Sequence, residues 1–136
     1  NRLDTPLNMS DTTGFLFHEA ASFLQNSTTR LIRGTVRKIG ITGLKKQMSM
    51  VEGFHKICEV GLAGNSALNA ANLHVIMSSI NCTYFEYWLP KEVHQWGVKE
   101  QLKINKNGNL DAPTGPGLGI DLDEEWITAH KVTTLS

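Results

Sequence analysis

The residues that could do chemistry in this sequence are a few carboxylates, one arginine and a glycine-bearing turn. Asp11 ends a short apolar run at residues 6–10; taken alone, Asp11-Thr12-Thr13 is helix-capping chemistry. Glu86 stands among Tyr84, Phe85, Tyr87 and Trp88. Such an apolar surround makes a protonated, pKa-raised carboxyl plausible at Glu86; an edge carboxylate in a surface pair is the alternative. Glu59 points from the middle of an apolar run, and a buried glutamate needs a partner. Arg33, two residues before Thr35 and so on the same strand face, is the expected partner in a structural Arg33–Glu59 pair. The turn Gly61-Leu62-Ala63-Gly64-Asn65-Ser66 leads into a helix and could hold an anion through its backbone N–H groups, although such turns are common. His55 reads as a surface or packing residue, and His74 as a core or capping one. Cys58 and Cys82, in strand-like apolar settings, read as buried free thiols. The Asn-x-Ser/Thr triplets at Asn8, Asn26 and Asn81 are discounted, because nothing else points to secretion.

These groups need elements to position them. Apolar runs and turn signals predict strands at 6–10, 29–36, 56–60 and 84–88, the last closed by Pro90. Helices are predicted at 15–25, at 44–54 after Thr42-Gly43, and at 67–80. Strands alternating with helices imply parallel βαβ units, and short apolar strands suit a covered sheet. Doubly wound sheets and β/α barrels both fit, but no glycine-rich fingerprint follows the first strand, which disfavours a dinucleotide-binding domain. The tail carries a hairpin cue at Lys106-Asn107-Gly108-Asn109, a Gly/Pro-rich stretch over 111–119, and a closing helix over 121–129 with acids in its first turn.

With 136 residues, 40% of them hydrophobic, the chain can build one domain with a real core. Thirteen basic and thirteen acidic residues cancel, leaving no electrostatic reason to expect nucleic acid or an anionic membrane as partner. No apolar run approaches the roughly 18 residues of a membrane helix. The start, Asn-Arg-Leu-Asp-Thr-Pro, is neither a signal peptide nor an initiator methionine, so the chain is expected to be processed, trimmed or cut from something longer, and to be cytoplasmic.

Several segments, in order, resemble one family. Pro113-Thr114-Gly115-Pro116-Gly117-Leu118-Gly119-Ile120, followed by Asp-Leu-Asp-Glu-Glu, resembles the C-terminal signature of the enolase superfamily, closest to its mandelate racemase/muconate-lactonizing branch. Arg37-Lys38-Ile39-Gly40-Ile41-Thr42-Gly43 is similar to that branch's Gly-Gly-Ile-Thr turn after barrel strand six, with one glycine missing. Cys58-Glu59-Val60, Gly64-Asn65-Ser66 and Asn69 to Val75 resemble strand seven and its helix, and residues 81–86 the entry to strand eight. The resemblance implies an α/β fold: a partial (β/α) TIM-type barrel, about strands five to eight, with a C-terminal hairpin and tail. Residues 1–136 would be the C-terminal half of the barrel domain. The capping domain and first barrel strands have no counterpart.

The family abstracts the proton next to a carboxylate, and a divalent cation, typically Mg²⁺, stabilises the enediolate. By resemblance Asp11 matches the strand-five metal ligand, and Glu86 the acid that hydrogen-bonds the enediolate. Asn65 and Ser66 would face the substrate's distal end. The strand-six acid/base position falls on Thr35, or on Gly34 if the first glycine of the pair is the lost one. The strand-seven histidine position falls on Gly61-Leu62. None of these residues exchanges protons near neutral pH, so the dyad positions read as lost.

Two readings follow. The complete enzyme would be a lyase or isomerase acting on a hydroxy-carboxylate, with an acid-sugar dehydratase favoured over a racemase or epimerase. Alternatively, the chain is a degenerate or truncated half-barrel that only folds and associates, as a homo-oligomer or with a complementary half.

Overall fold

The computed structural model describes residues 4–9, 17–25, 29–62 and 64–133. Strands β1 (Leu7–Met9), β2 (Thr29–Gly34) and β3 (Ile57–Val60) form a parallel sheet in sequence order. Helices α1 (Phe17–Gln25) and α2 (Val36–Gly53) connect them, and α3 (Ser66–Met77) follows β3. Neighbouring strands follow each other along the chain with no reversal of order. That is the winding of a barrel arc and lacks the switch point of a doubly wound sheet.

Strand alternation divides the sheet into two unlike faces. Ile32, Cys58 and Val60 are buried and join the core with Ala20 and Leu24 of α1, Leu44, Met48 and Val51 of α2, and Ala71 and Val75 of α3. Each helix contributes residues at three- or four-residue spacing, so one stripe of each meets the sheet. On the other face Leu31, Arg33 and Glu59 are only partly covered and Ile57 is exposed. In a closed barrel that face lines the interior.

Helix α2 begins earlier than the predicted 44–54. It runs from Val36, directly after β2, and is interrupted at Gly40 (φ 69°, ψ 172°). Nothing lies within 4 Å of a Cβ built on Gly40, so the backbone angle alone requires glycine there. The irregular turn masks the helical period and explains the late predicted start. Helix α3 closely follows its predicted span, capped by Asn65, whose Oδ1 accepts the Leu68 N–H at 3.1 Å.

The strand predicted at 84–88 does not form. Phe85 pairs with Val60 at a single parallel bridge, and the flanking groups turn to side chains: the Tyr84 N–H faces Glu59 Oε2 at 3.4 Å. Among the described residues no strand lies on the far side of Phe85, and one neighbour is too little to hold an extended segment in register. The position, however, is the next one along the arc.

In the tail, Ile104 and Leu110 pair antiparallel around the predicted turn, with Asn105 Oδ1 accepting the N–H groups of Asn107 and Asn109. The closing helix α4 spans Glu124–Ala129, shorter than predicted because Asp123 caps it through the Trp126 N–H. His74 ties α3 to the Gly/Pro-rich segment, its Nε2 lying 3.0 Å from the Leu118 carbonyl. Cys58 and Cys82 are free, as expected. Asn81 donates its side-chain amide to the Met48 carbonyl at 2.9 Å.

Candidate active site

The C-terminal ends of β2 and β3 and the Phe85 segment gather Arg33, Thr35, Gly61, Leu62 and Glu86. Gly34 and Val60 are register partners, and the Gly61 N–H continues the ladder to the Gly34 carbonyl at 2.9 Å.

Arg33 and Glu59 are also register partners, but they do not pair. The guanidinium instead passes over Gly61, and Nη2 lies 2.5 Å from Glu86 Oε2. The same oxygen accepts the Leu62 N–H. Glu59 Oε2 takes the Cys82 thiol at 3.7 Å besides the Tyr84 amide. The expected Arg33–Glu59 pair is therefore replaced by Arg33–Glu86. Glycine at 61 leaves the path along the strand open, and Glu86 offers an oxygen already held in place by a backbone donor.

This pairing also corrects the expected ionisation of Glu86. Burial pushes its carboxyl up, but the Leu62 N–H, the hydrogen bond and charge of Arg33, and a hydrogen bond from Trp88 outweigh burial and hold it below the ordinary carboxylate value. Glu86 rests as an anion, not as a pKa-raised acid. A narrow pocket lined by Leu62, Asn69, Trp88, His94 and Gln95 adjoins it. Two larger clefts, of about 580 and 410 Å³, lie against the tail and include none of the strand-end residues named above.

Thr35 and Gly61 are joined by a residue that sequence reasoning missed. Asn72, fully buried on α3, accepts the Val36 N–H at 2.9 Å, and its Nδ2 donates to the Gly61 carbonyl at 2.8 Å and reaches Thr35 Oγ1 at 3.5 Å. Thr35 sits at the N-cap of α2 without capping it through its side chain; Asn72 supplies that acceptor from another helix. The signal was present as a pair of asparagines three apart, Asn69 and Asn72, inside a largely apolar helix. Buried amides need partners, and strand ends supply them.

The remaining expected site residues separate. Asn65 Oδ1 is engaged as the α3 cap, and Ser66 is buried with no hydrogen-bond partner for its hydroxyl among the described residues. Asp11 lies outside the described residues. Among those described, no group of three or more His, Cys, Asp or Glu could hold a metal ion, and Glu59 and Glu86 are both engaged elsewhere. The described residues therefore do not form a Mg²⁺ site by themselves.

Comparison with known proteins identifies the arc. A family model described as enolase C-terminal domain-like matches residues 4–126. The chain belongs to this family. The solved structures similar to it include ones described as mandelate racemase/muconate lactonizing enzymes. One assigned to that class, from Pseudovibrio sp., superposes with a TM-score of 0.91 at 27% identity, covering 97% of this chain and 36% of its own. Another, from Sulfitobacter sp., gives 0.76 at 24% identity, covering 98% and 33%. A protein from Mesorhizobium loti described as a dehydratase gives 0.87 at 16% identity, covering 99% and 36%, a likeness of fold alone. No curated protein matches. The chain thus spans about a third of the length of these structures, as a C-terminal part of the barrel domain. No described helix is long and apolar enough to cross a membrane.

Proposed function

We propose that this chain is the C-terminal part of a cytoplasmic enzyme that removes the proton next to a carboxylate, and that the reaction is dehydration of an acid sugar. A base from the remainder of the barrel takes the α-proton. The β C–O bond then breaks, its oxygen leaves as water with a proton given by an acid that is also in the remainder of the barrel, and the resulting enol tautomerises to a 2-keto acid. The observation that carries this reading is the one-sided strand-end face. Glu86 and Arg33 lie there together, while Thr35 and Gly61 offer no proton-exchanging group and are fastened by Asn72. Racemisation needs a base on each side of the α-carbon, whereas elimination needs one base and one acid. Glu86 enters as an ionised carboxylate that orders the face. Asn65 and Ser66, at the start of α3, are proposed to meet the distal end of the substrate.

Mg²⁺ is the expected cofactor, which Asp11 would hold together with residues outside this chain; it would supply Lewis-acid stabilisation of the enediolate. The test is turnover of an acid-sugar panel by the full-length protein with Mg²⁺ and after chelation. Water loss to a 2-keto acid that stops with chelation is expected. Racemised substrate with no 2-keto acid would defeat the dehydratase reading.

The same sealed dyad positions also favour a second reading, a half-barrel that folds and associates without catalysis. Absence of turnover over the whole panel, with a folded protein, would select it.

A further inference from the structure

The cation of this face has a role that neither the ordered motifs nor the dyad positions assign. We infer that Arg33 is the residue that binds the substrate's carboxylate or its developing enediolate oxygen, with Glu86 as the residue that positions it. The inference rests on the proton-abstraction reading and names a substrate contact within it.

Place comes first. Arg33 lies at the C-terminal end of β2 on the face that lines the barrel interior, where barrel enzymes build their sites. Space comes second. A Cβ added at Gly61 would lie 2.8 Å from Nη2, 3.2 Å from Nε and 3.3 Å from Cζ of Arg33. The guanidinium therefore fills the room that a side chain on residue 61 would need. A side chain at 61 and Arg33 in this pose exclude each other, so glycine at 61 is what lets the guanidinium lie there.

Pairing comes third. Nη2 is committed to Glu86, yet Nε is buried with no hydrogen-bond partner among the described residues. A buried N–H without an acceptor is costly until one arrives, and a guanidinium edge matches a carboxylate in geometry and charge. Glu86, accepting from Leu62 and Arg33 and carrying negative charge, would repel a substrate anion; Arg33 is the group of the pair suited to receive it. Glu86 instead pins the guanidinium over Gly61 and limits the entropy lost when an anion binds.

The experiment is side-chain ¹⁵N NMR of the 136-residue chain titrated with glycolate, the smallest 2-hydroxy carboxylate, with uncharged methyl glycolate as control. The Arg33 Nε–H resonance should move saturably with glycolate and stay still with the ester. Arg33→Lys keeps a positive charge but loses the fork, and should weaken binding at least tenfold with an unchanged amide spectrum elsewhere. Glu86→Gln should weaken it about threefold and broaden the Arg33 signal as the guanidinium loosens. No movement of Arg33 Nε–H in the wild-type chain at saturating glycolate, or equal affinity in Arg33→Lys, overturns the inference whether or not other variants fold. Turnover separates it from the underlying reading. Glycolate binding at Arg33 without turnover in the full-length protein would sink the reaction and leave the arginine site standing. Turnover with kcat and KM unchanged in Arg33→Lys would sink the inference alone.

Discussion

Opposing forces meet on single residues in this chain, and their balance sets the character of the site. At Glu86 desolvation favours the neutral acid, but a backbone N–H, an arginine and an indole win, so the folded-state pKa is depressed. A depressed carboxylate stabilises the fold above its unfolded pKa, about 4.3, and that contribution is lost as pH falls through the lower folded value. A ¹³C titration of the Glu86 carboxyl should therefore find it still ionised below pH 4.3, and Arg33→Gln should raise its midpoint. An unshifted midpoint in Arg33→Gln would mean that the ion pair does not form in solution. At Asn72, replacement by alanine strands the Val36 N–H and the Gly61 carbonyl; a loss of about 2 kcal/mol or more is expected in denaturant unfolding, against near-neutrality for an exposed polar residue. Burial pushes the Cys58 thiol up to about 12 and the Cys82 thiol to about 11, so both should resist alkylation at pH 8 until the chain unfolds. The sequence made Arg33, Glu59 and Glu86 legible as charges needing partners. It did not reveal who pairs with whom, because strand parity fixes a face while Gly61 decides how far along that face a long side chain can reach.

Elements were easier to read where hydrophobic period and capping agree. Helix α3 was recovered nearly whole because Asn65 caps a continuous apolar run. Helix α2 was half-recovered because Gly40 interrupts its first turns. Gly40→Ala should cost about 1–3 kcal/mol, because φ 69° with ψ 172° is a backbone region essentially reserved for glycine, whereas Gly53→Ala, at the end of the same helix with free space around it, should stay within about 0.5 kcal/mol of neutral. Equal effects of the two in chemical denaturation would show that Gly40 is tolerated for another reason. The expected fourth strand at 84–88 illustrates the opposite failure. Aromatic composition is a property of the segment, but strand formation is a property of its neighbours, and among the described residues Phe85 bridges Val60 alone. What survives is the aim of that segment, which still delivers Glu86 to the ends of β2 and β3.

The described residues form an arc with one packed face and one less covered face. The helix-covered side is packed as a core, and truncating a fully buried anchor such as Leu44 should cost about 2–5 kcal/mol. The interior side carries Ile57, 38% exposed, beside the partly covered Leu31, apolar surface that a closed barrel would cover. Association of the isolated chain is expected in sedimentation, and a dilute-to-concentrated monomer would contradict it. Fold class and family were legible because motifs occur in barrel order; the metal site was not, since a single carboxylate, Asp11, is too few ligands to specify one. One-sided α-proton chemistry leaves its trace in solvent deuterium. Turnover by the full-length protein in D₂O with Mg²⁺ should yield a 2-keto-3-deoxy acid carrying solvent deuterium, without inversion of recovered substrate. Exchange or inversion at the α-carbon with no net loss of water would contradict it.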